Sequence, residues 1–339
     1  MLTKLNLSGS HFEVGVALGR FGQQAFYRFR QQSGVWQSLQ AFKEQAPFLA
    51  MARATRQQHP EYWDVLRGLA YGLGISEQEA MLWHCRGDLA THMRDGCTTI
   101  QLPGSPPIIA HNEDGDPAFR GACAMAQIAV QGCRSFAAFV YPGSLPGHTF
   151  AVTENGLVLT VNNLRGQNPD SGLPRMLAVR ALLDLPNVNE ALSYLRAGAF
   201  AGGFHLTLAQ AADQRLYSIE FHAQHCSVVE LKVASAHANH MIHLPMQALA
   251  QLVTISSQCR QERANDLIAL SGSVEPLSIL RDDQDALYPI FRASANDSDQ
   301  ENTLATAHLV VGLQRVDWSV FEGRNTQPVF RLSNHQWSD

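Results

Sequence analysis

The chain of 339 residues carries a formal net charge of −5, with 45% hydrophobic and 16% charged residues. That balance excludes a disordered segment, and its scattered lysines and arginines give no electrostatic footprint for nucleic acid or an anionic membrane. No apolar run reaches the roughly eighteen residues of a membrane span, and the opening MLTKLNLSGSHFEVG has no signal-peptide core, so a cytoplasmic protein acting on small ligands is expected.

From about residue 12 to residue 92 apolar residues recur three and four apart, as in HFEVGVALGRFGQQAFYRFRQQ and PEYWDVLRGLAYGLGISEQEAMLWHCRGDL, which predicts helices. Gly72-Leu73-Gly74 marks a break, and Ser76 with Glu79 has the spacing of a capping box. After residue 95 the texture changes to short apolar runs divided by turn residues: CTTIQL, PIIAHNE, ACAMAQIAV, SFAAFVYP. Asn155-Gly156, between FAVTE and LVLTV, predicts a hairpin. Two helices divided by Pro186 and Asn187 follow, then strands from FHLTLAQ to SVVEL, a helix in SSQCRQERANDLIAL, and last strands in TLATAHLVVGLQRVDWSVFEG. Strand groups alternate with helix groups without a βαβ period, so the expected class is α+β, two antiparallel sheets covered by helices.

The six cysteines (Cys85, Cys97, Cys123, Cys133, Cys226, Cys259) form no CxxC pair, which argues against a disulfide framework or a zinc knuckle. Cys97 is distinguished by its place, in Gly96-Cys97-Thr98-Thr99, where helical texture gives way to strands. If the bond before it were cut, the new terminus would carry a thiol beside an α-amine of pKa roughly 7.7–8.0, so nucleophile and base would be one residue. A glycine at 96 permits the close approach that attack on its carbonyl needs. On these four residues alone, the motif can equally open an ordinary core strand.

Further candidates lie downstream. AHNEDGD offers Asn112, Asp114 and Asp116 as ligands for an amine or a cation, or as a solvated turn; no twelve-position calcium loop follows. Asn162 and Asn163 end one strand run, and Asn239 stands in HANHMIH; their carboxamides could serve an oxyanion or cap turns. His237 and His240 could be drawn as a metal pair, but their spacing fits neither HExxH nor a zinc finger, and no metal is expected.

Taken together, these segments resemble the acyl-coenzyme A:6-aminopenicillanic acid acyltransferase (isopenicillin-N acyltransferase) family of N-terminal-nucleophile (Ntn) hydrolases. GSHFEVGVALGRF is similar to the family's early G-x-x-x-E-x-G-x-x-L-G stretch, and HPEYWDVLRGLAYGLGIS to its P-x-y-x-x-E-l-x-G-i-A-x-G helix, with Asp64 in place of the usual glutamate. GCTT resembles the processing site, AHNEDGD the GxNxD segment, HANHM the HTNH segment and SSQCRQERANDL the SxxRxxR helix start.

The resemblance implies an αββα sandwich, made as a precursor that cuts itself between Gly96 and Cys97. Residues 1–96 would then be a helical small chain and 97–339 the catalytic chain, the two forming one structural unit. It implies Cys97 as nucleophile, its freed amine as base, and Asp114 as the acid holding that amine, with Asn112 beside it. Asn239 would be the oxyanion donor, Asn163 a second donor or substrate contact, and Arg260 a cation against the nucleophile. His111, where related bile-salt hydrolases have arginine, and Glu113, where many members have tryptophan, would lie near the substrate with Asn112. The expected reaction is hydrolysis of a small acyl amide, for example a β-alanyl amine such as carcinine, without cofactor. Acyl transfer from acyl-coenzyme A is the alternative on the same fold, and an unprocessed binding protein the alternative from another class. Expected partners are a small-molecule amide, with no nucleic acid or membrane; a homo-oligomer of processed chains stays open.

Overall fold

A computed structural model describes residues 1–90, 95–270, 274–294 and 300–338. Its strands, in chain order, are β1 (Thr3–Gly9), β2 (Asp95–Leu102), β3 (Ile108–Gly115), β4 (Ala124–Val130), β5 (Phe136–Val140), β6 (Phe150–Thr153), β7 (Leu157–Asn163) and β8 (Gly203–Gln210). They continue with β9 (Asp213–His222), β10 (His225–Glu230), β11 (Ser235–His237), β12 (Asn302–Val311), β13 (Val316–Phe321), β14 (Phe330–Ser333) and β15 (Gln336–Trp337).

An eight-stranded sheet runs β1-β4-β5-β6-β7-β8-β9-β10 and a seven-stranded sheet runs β11-β2-β3-β12-β13-β14-β15. Neighbours are antiparallel except at one edge, where β1 lies parallel to β4 from Thr3↔Ala124 to Gly9↔Val130. The sheets stack face to face on a shared apolar core that includes Ile109 and Trp318 from one and Phe139, Phe150 and Leu208 from the other. Helices cover both outer faces, which makes the molecule an α+β, four-layer αββα sandwich.

On the smaller sheet, side-chain alternation decides which residues face the partner sheet. Ile100 and Ala110 point outward and pack with Ala264, Ile279 and Leu280 of the helices Ile255–Leu270 and Pro276–Leu280. Residues an odd number of positions away, Cys97, Thr99, Gln101, His111 and Glu113, therefore point inward. Two polar bridges cross between the sheets there: the Thr99 hydroxyl donates to Asn162 Oδ1 at 2.7 Å, and Gln101 Nε2 donates to the Thr207 hydroxyl at 2.7 Å.

Helical texture is observed through most of residues 11–90, and the Ser76–Glu79 capping box forms. Helices His11–Gln32 and Pro60–Leu73 cross at glycines: a Cβ on Gly68 would come within 2.1 Å of the Phe12 carbonyl oxygen, and one on Gly19 within 2.5 Å of that of Leu69. Ahead of that helical stretch lies β1, whose alternating Lys4-Leu5-Asn6-Leu7 completes a sheet edge. Among the described residues no helix is long and apolar enough to cross a membrane.

Candidate active site

The site grows from the β2–β3 hairpin. Pro103-Gly104-Ser105-Pro106-Pro107 cannot continue a ladder, so the chain reverses there, and the register sets Cys97 opposite Glu113, Thr99 opposite His111 and Gly96 opposite Asp114. Cys97 stands near the start of β2 and is 4% exposed.

Its main chain is held on both sides. The Cys97 N–H donates to Asn239 Oδ1 at 2.9 Å, and Arg260 donates through Nη1 to the Cys97 carbonyl at 2.7 Å and to the Thr98 hydroxyl at 2.8 Å. The other arm of the same guanidinium reaches Asn239 Oδ1 at 2.7 Å, a planar fork that fixes residue 97 and the carboxamide together. Asn239 is anchored in turn: its N–H donates to the Ser257 hydroxyl at 2.8 Å and its Nδ2 to the Asn163 carbonyl at 3.1 Å. Arg260 thus grips the backbone and the hydroxyl beside the sulfur, and Asn163 meets Asn239 through its main chain.

The inward faces of β2 and β3 bring three reactive atoms together. The Cys97 thiol lies 3.7 Å from Glu113 Oε2, and His111 Nε2 lies 3.1 Å from the same oxygen. Tyr141 donates its hydroxyl to Glu113 Oε1 at 2.8 Å, and His111 Nδ1 is 2.8 Å from the Thr99 hydroxyl. Sulfur, imidazole nitrogen and carboxylate oxygen all lie within 4.8 Å of one another, a donor set that could hold a divalent ion. His237 and His240, the pair weighed for metal from sequence, are bonded elsewhere, to Glu220 and to Ser257.

Even-numbered residues of β3 face away. Asn112 donates to the Leu280 carbonyl at 2.8 Å and accepts from Thr306, so its side chain is turned from the sulfur toward the helices. Asp114 accepts from the Thr303 hydroxyl at 2.6 Å, across from Gly96. A buried ion cluster adjoins that glycine: Glu301 pairs with Arg292 and, at 3.5 Å, with Arg165. A Cβ on Gly96 would stand 2.0 Å from Glu301 Oε2, so only glycine fits before the cysteine.

Burial, the largest cause, pushes the Cys97 thiol well above the ordinary thiol range. Burial also holds the His111 imidazole neutral, its pKa lowered to about 3. An uncharged thiol beside a neutral imidazole is a nucleophile that needs a base in contact with it.

A narrow cleft of about 20 Å³ opens on this group, lined by Cys97, Glu113, Asn163, Phe204, Arg86 and Arg175. The arginines are built into its walls: Arg86 donates to the Trp83 carbonyl at 3.1 Å, and Arg175 to the carbonyls of Leu164 at 2.7 Å and Gly203 at 2.9 Å.

Sequence reasoning passed over Tyr141 and Glu301 as members of this site. Folding the chain about the Pro-Gly-Ser-Pro-Pro turn gives the Cys97–Glu113 register and hence the inward set Thr99, His111 and Glu113; Tyr141 and Glu301 carry no local signal.

Residues 102–322 match the family described as acyl-coenzyme A:6-aminopenicillanic acid acyl-transferase, a match that begins just downstream of Cys97. Across 96% of this chain and 94% of the relative, the sequence is 22% identical to a protein of Drosophila melanogaster named beta-alanyl-dopamine/carcinine hydrolase. The chain belongs to the acyl-coenzyme A:6-aminopenicillanic acid acyl-transferase family, whose chemistry is acyl transfer or hydrolysis at amides.

Proposed function

We propose that this member of the acyltransferase family is a self-processing cysteine amidohydrolase with Cys97 as its nucleophile. The thiol attacks the Gly96 carbonyl, the peptide bond opens, and residues 1–96 and 97–339 become separate chains. The freed α-amine then serves as base for turnover: thiolate adds to a substrate amide, the amine passes its proton to the leaving group, and water releases the acyl chain. The observation that carries this reading is that Cys97 has its own N–H and carbonyl clamped by Asn239 and Arg260 while its sulfur faces a cleft. After cleavage Asn239 would hold the amine where the N–H lay, and a turn of its carboxamide would offer Nδ2 to an oxyanion. Asp114, opposite Gly96, would neutralise the new ammonium.

The substrate class is a small acyl amide, with β-alanyl amines first, as the named activity of the Drosophila relative suggests. Hydrolysis is favoured over transfer from acyl-coenzyme A because the cleft is narrow and its arginines donate to wall carbonyls. The test is the denatured mass of freshly made protein beside Cys97→Ala. Wild type should divide between residues 96 and 97 and hydrolyse β-alanyl amides, while the variant stays at 37.3 kDa and is inert. A wild type that stays whole removes the reading.

A further inference from the structure

We infer that His111 and Glu113 form the acid–base pair that activates Cys97 in the uncut chain, before any α-amine exists. The inference rests on the self-processing reading above and supplies what that reading lacks. An amide nitrogen is no base, so the first attack on Gly96 must draw its proton acceptor from elsewhere.

The hydrogen bonds fix where the protons are. The His237 carbonyl can only accept, so Asn162 turns Nδ2 to it at 3.0 Å and presents Oδ1 to its other neighbours. The Thr99 hydroxyl, 2.7 Å from that oxygen, must donate its single hydrogen there. Thr99 therefore accepts from His111, whose Nδ1 at 2.8 Å carries the proton. In a neutral imidazole Nε2 is then a bare lone pair, and it faces Glu113 Oε2 at 3.1 Å. Two acceptors do not meet at that distance without a proton between them. The other oxygen of Glu113 accepts from Tyr141, so the shared proton sits on Oε2, the oxygen that the Cys97 thiol approaches to 3.7 Å.

Glu113 is thereby poised to relay. Oε2 gives its proton to His111 Nε2 as it takes the thiol proton, leaving thiolate at Cys97, imidazolium at His111 and a neutral Glu113. The sulfur lone pair forms the bond to the Gly96 carbon, and the carbonyl π pair moves to oxygen. When the oxyanion collapses the C–N bond breaks, and the proton returns from His111 by way of Glu113 to the departing Cys97 nitrogen. The product is a thioester with a free amine. Water then adds to that carbon, the C–S bond breaks, sulfur regains a proton, and Gly96 ends as a carboxylate.

The test is a cell-free synthesis of the full chain, quenched in denaturant at intervals and read by mass. Glu113→Gln keeps shape and the Tyr141 bond but cannot relay, so it should cut at least about 100-fold more slowly than wild type while melting as a folded protein. Glu113→Asp, which withdraws the acid by one methylene, should also be slow and guards against a Gln variant that does not fold. Equal rates for wild type and a folded variant overturn this inference and leave self-processing standing. A wild type that never divides overturns both, because the relay then has no reaction to drive.

Discussion

Two buried histidine–glutamate pairs stand in this protein, His111–Glu113 beside Cys97 and His237–Glu220 between β9 and β11, with contacts of 3.1 and 2.8 Å. Their neighbours differ. Glu220 also accepts from the backbone N–H groups of Ile242 at 2.7 Å and His243 at 3.2 Å. Burial would raise its carboxyl, but the bond and charge of His237, with His243 and the Ile242 N–H, hold it below its ordinary value. His237 Nδ1 meets the Ala238 carbonyl at 3.0 Å, so the ring bridges that carbonyl and Glu220. His205 stacks on that ring at 3.4 Å; burial first and His237 second hold it neutral. Glu113, by contrast, accepts from the Tyr141 hydroxyl and lies 3.7 Å from the Cys97 thiol. Backbone donors help make the Glu220 pair a strut, and the thiol and phenol beside Glu113 place exchangeable protons at the other.

The comparison is broken most severely at the strut. Glu220→Gln removes the buried carboxylate that meets His237 and accepts from the Ile242 and His243 N–H groups, and should cost about 3 kcal/mol in denaturant unfolding. Acid sharpens the contrast next. His111 has a folded pKa of about 3 against roughly 6.5 unfolded, so the unfolded chain takes up the proton first as pH falls. The stability this neutral ring secures is complete above pH 6.5, falls by roughly 2 kcal/mol by pH 5, and goes on falling to about pH 3. His111→Asn should flatten that acid limb in pH-dependent melts. Glu113→Gln exchanges one neutral group for another and should cost only about 1–2 kcal/mol of stability, less than its counterpart at Glu220. Smallest is Tyr141→Phe, which removes one donor to Glu113 and should shift unfolding by about 1 kcal/mol or less.

Much of the architecture was legible. The change of texture after residue 95, the Asn155-Gly156 hairpin and the absence of a βαβ period lead to stacked antiparallel sheets, and those sheets are observed. β1 escaped because a parallel edge strand declares itself only against its partner, here β4, more than a hundred residues away. β14 and β15 are too short, at four and two residues, for periodicity to register. In the site, Cys97 stood out by local chemistry and Asn239 and Arg260 by resemblance, and all three are in hydrogen-bonded contact. Asn112 and Asp114, read together with His111 and Glu113 as one cluster, are divided from them by the pleat, which sends alternate residues to opposite faces. No local pattern links Glu301 to Gly96, since their contact is made by folding alone.

The parallel pairing of β1 along β4 bears on how a cut before Cys97 would be noticed. The strand upstream of that bond and the sheet downstream of it share a ladder, and the helices between carry core residues such as Phe26, Trp36 and Leu69. Hydrolysis would turn this contact from intramolecular to intermolecular without moving an atom of it. The Stokes radius would be unchanged, so a sizing column would report one species before and after. Cleavage would register only in denaturant, where a single polypeptide becomes two.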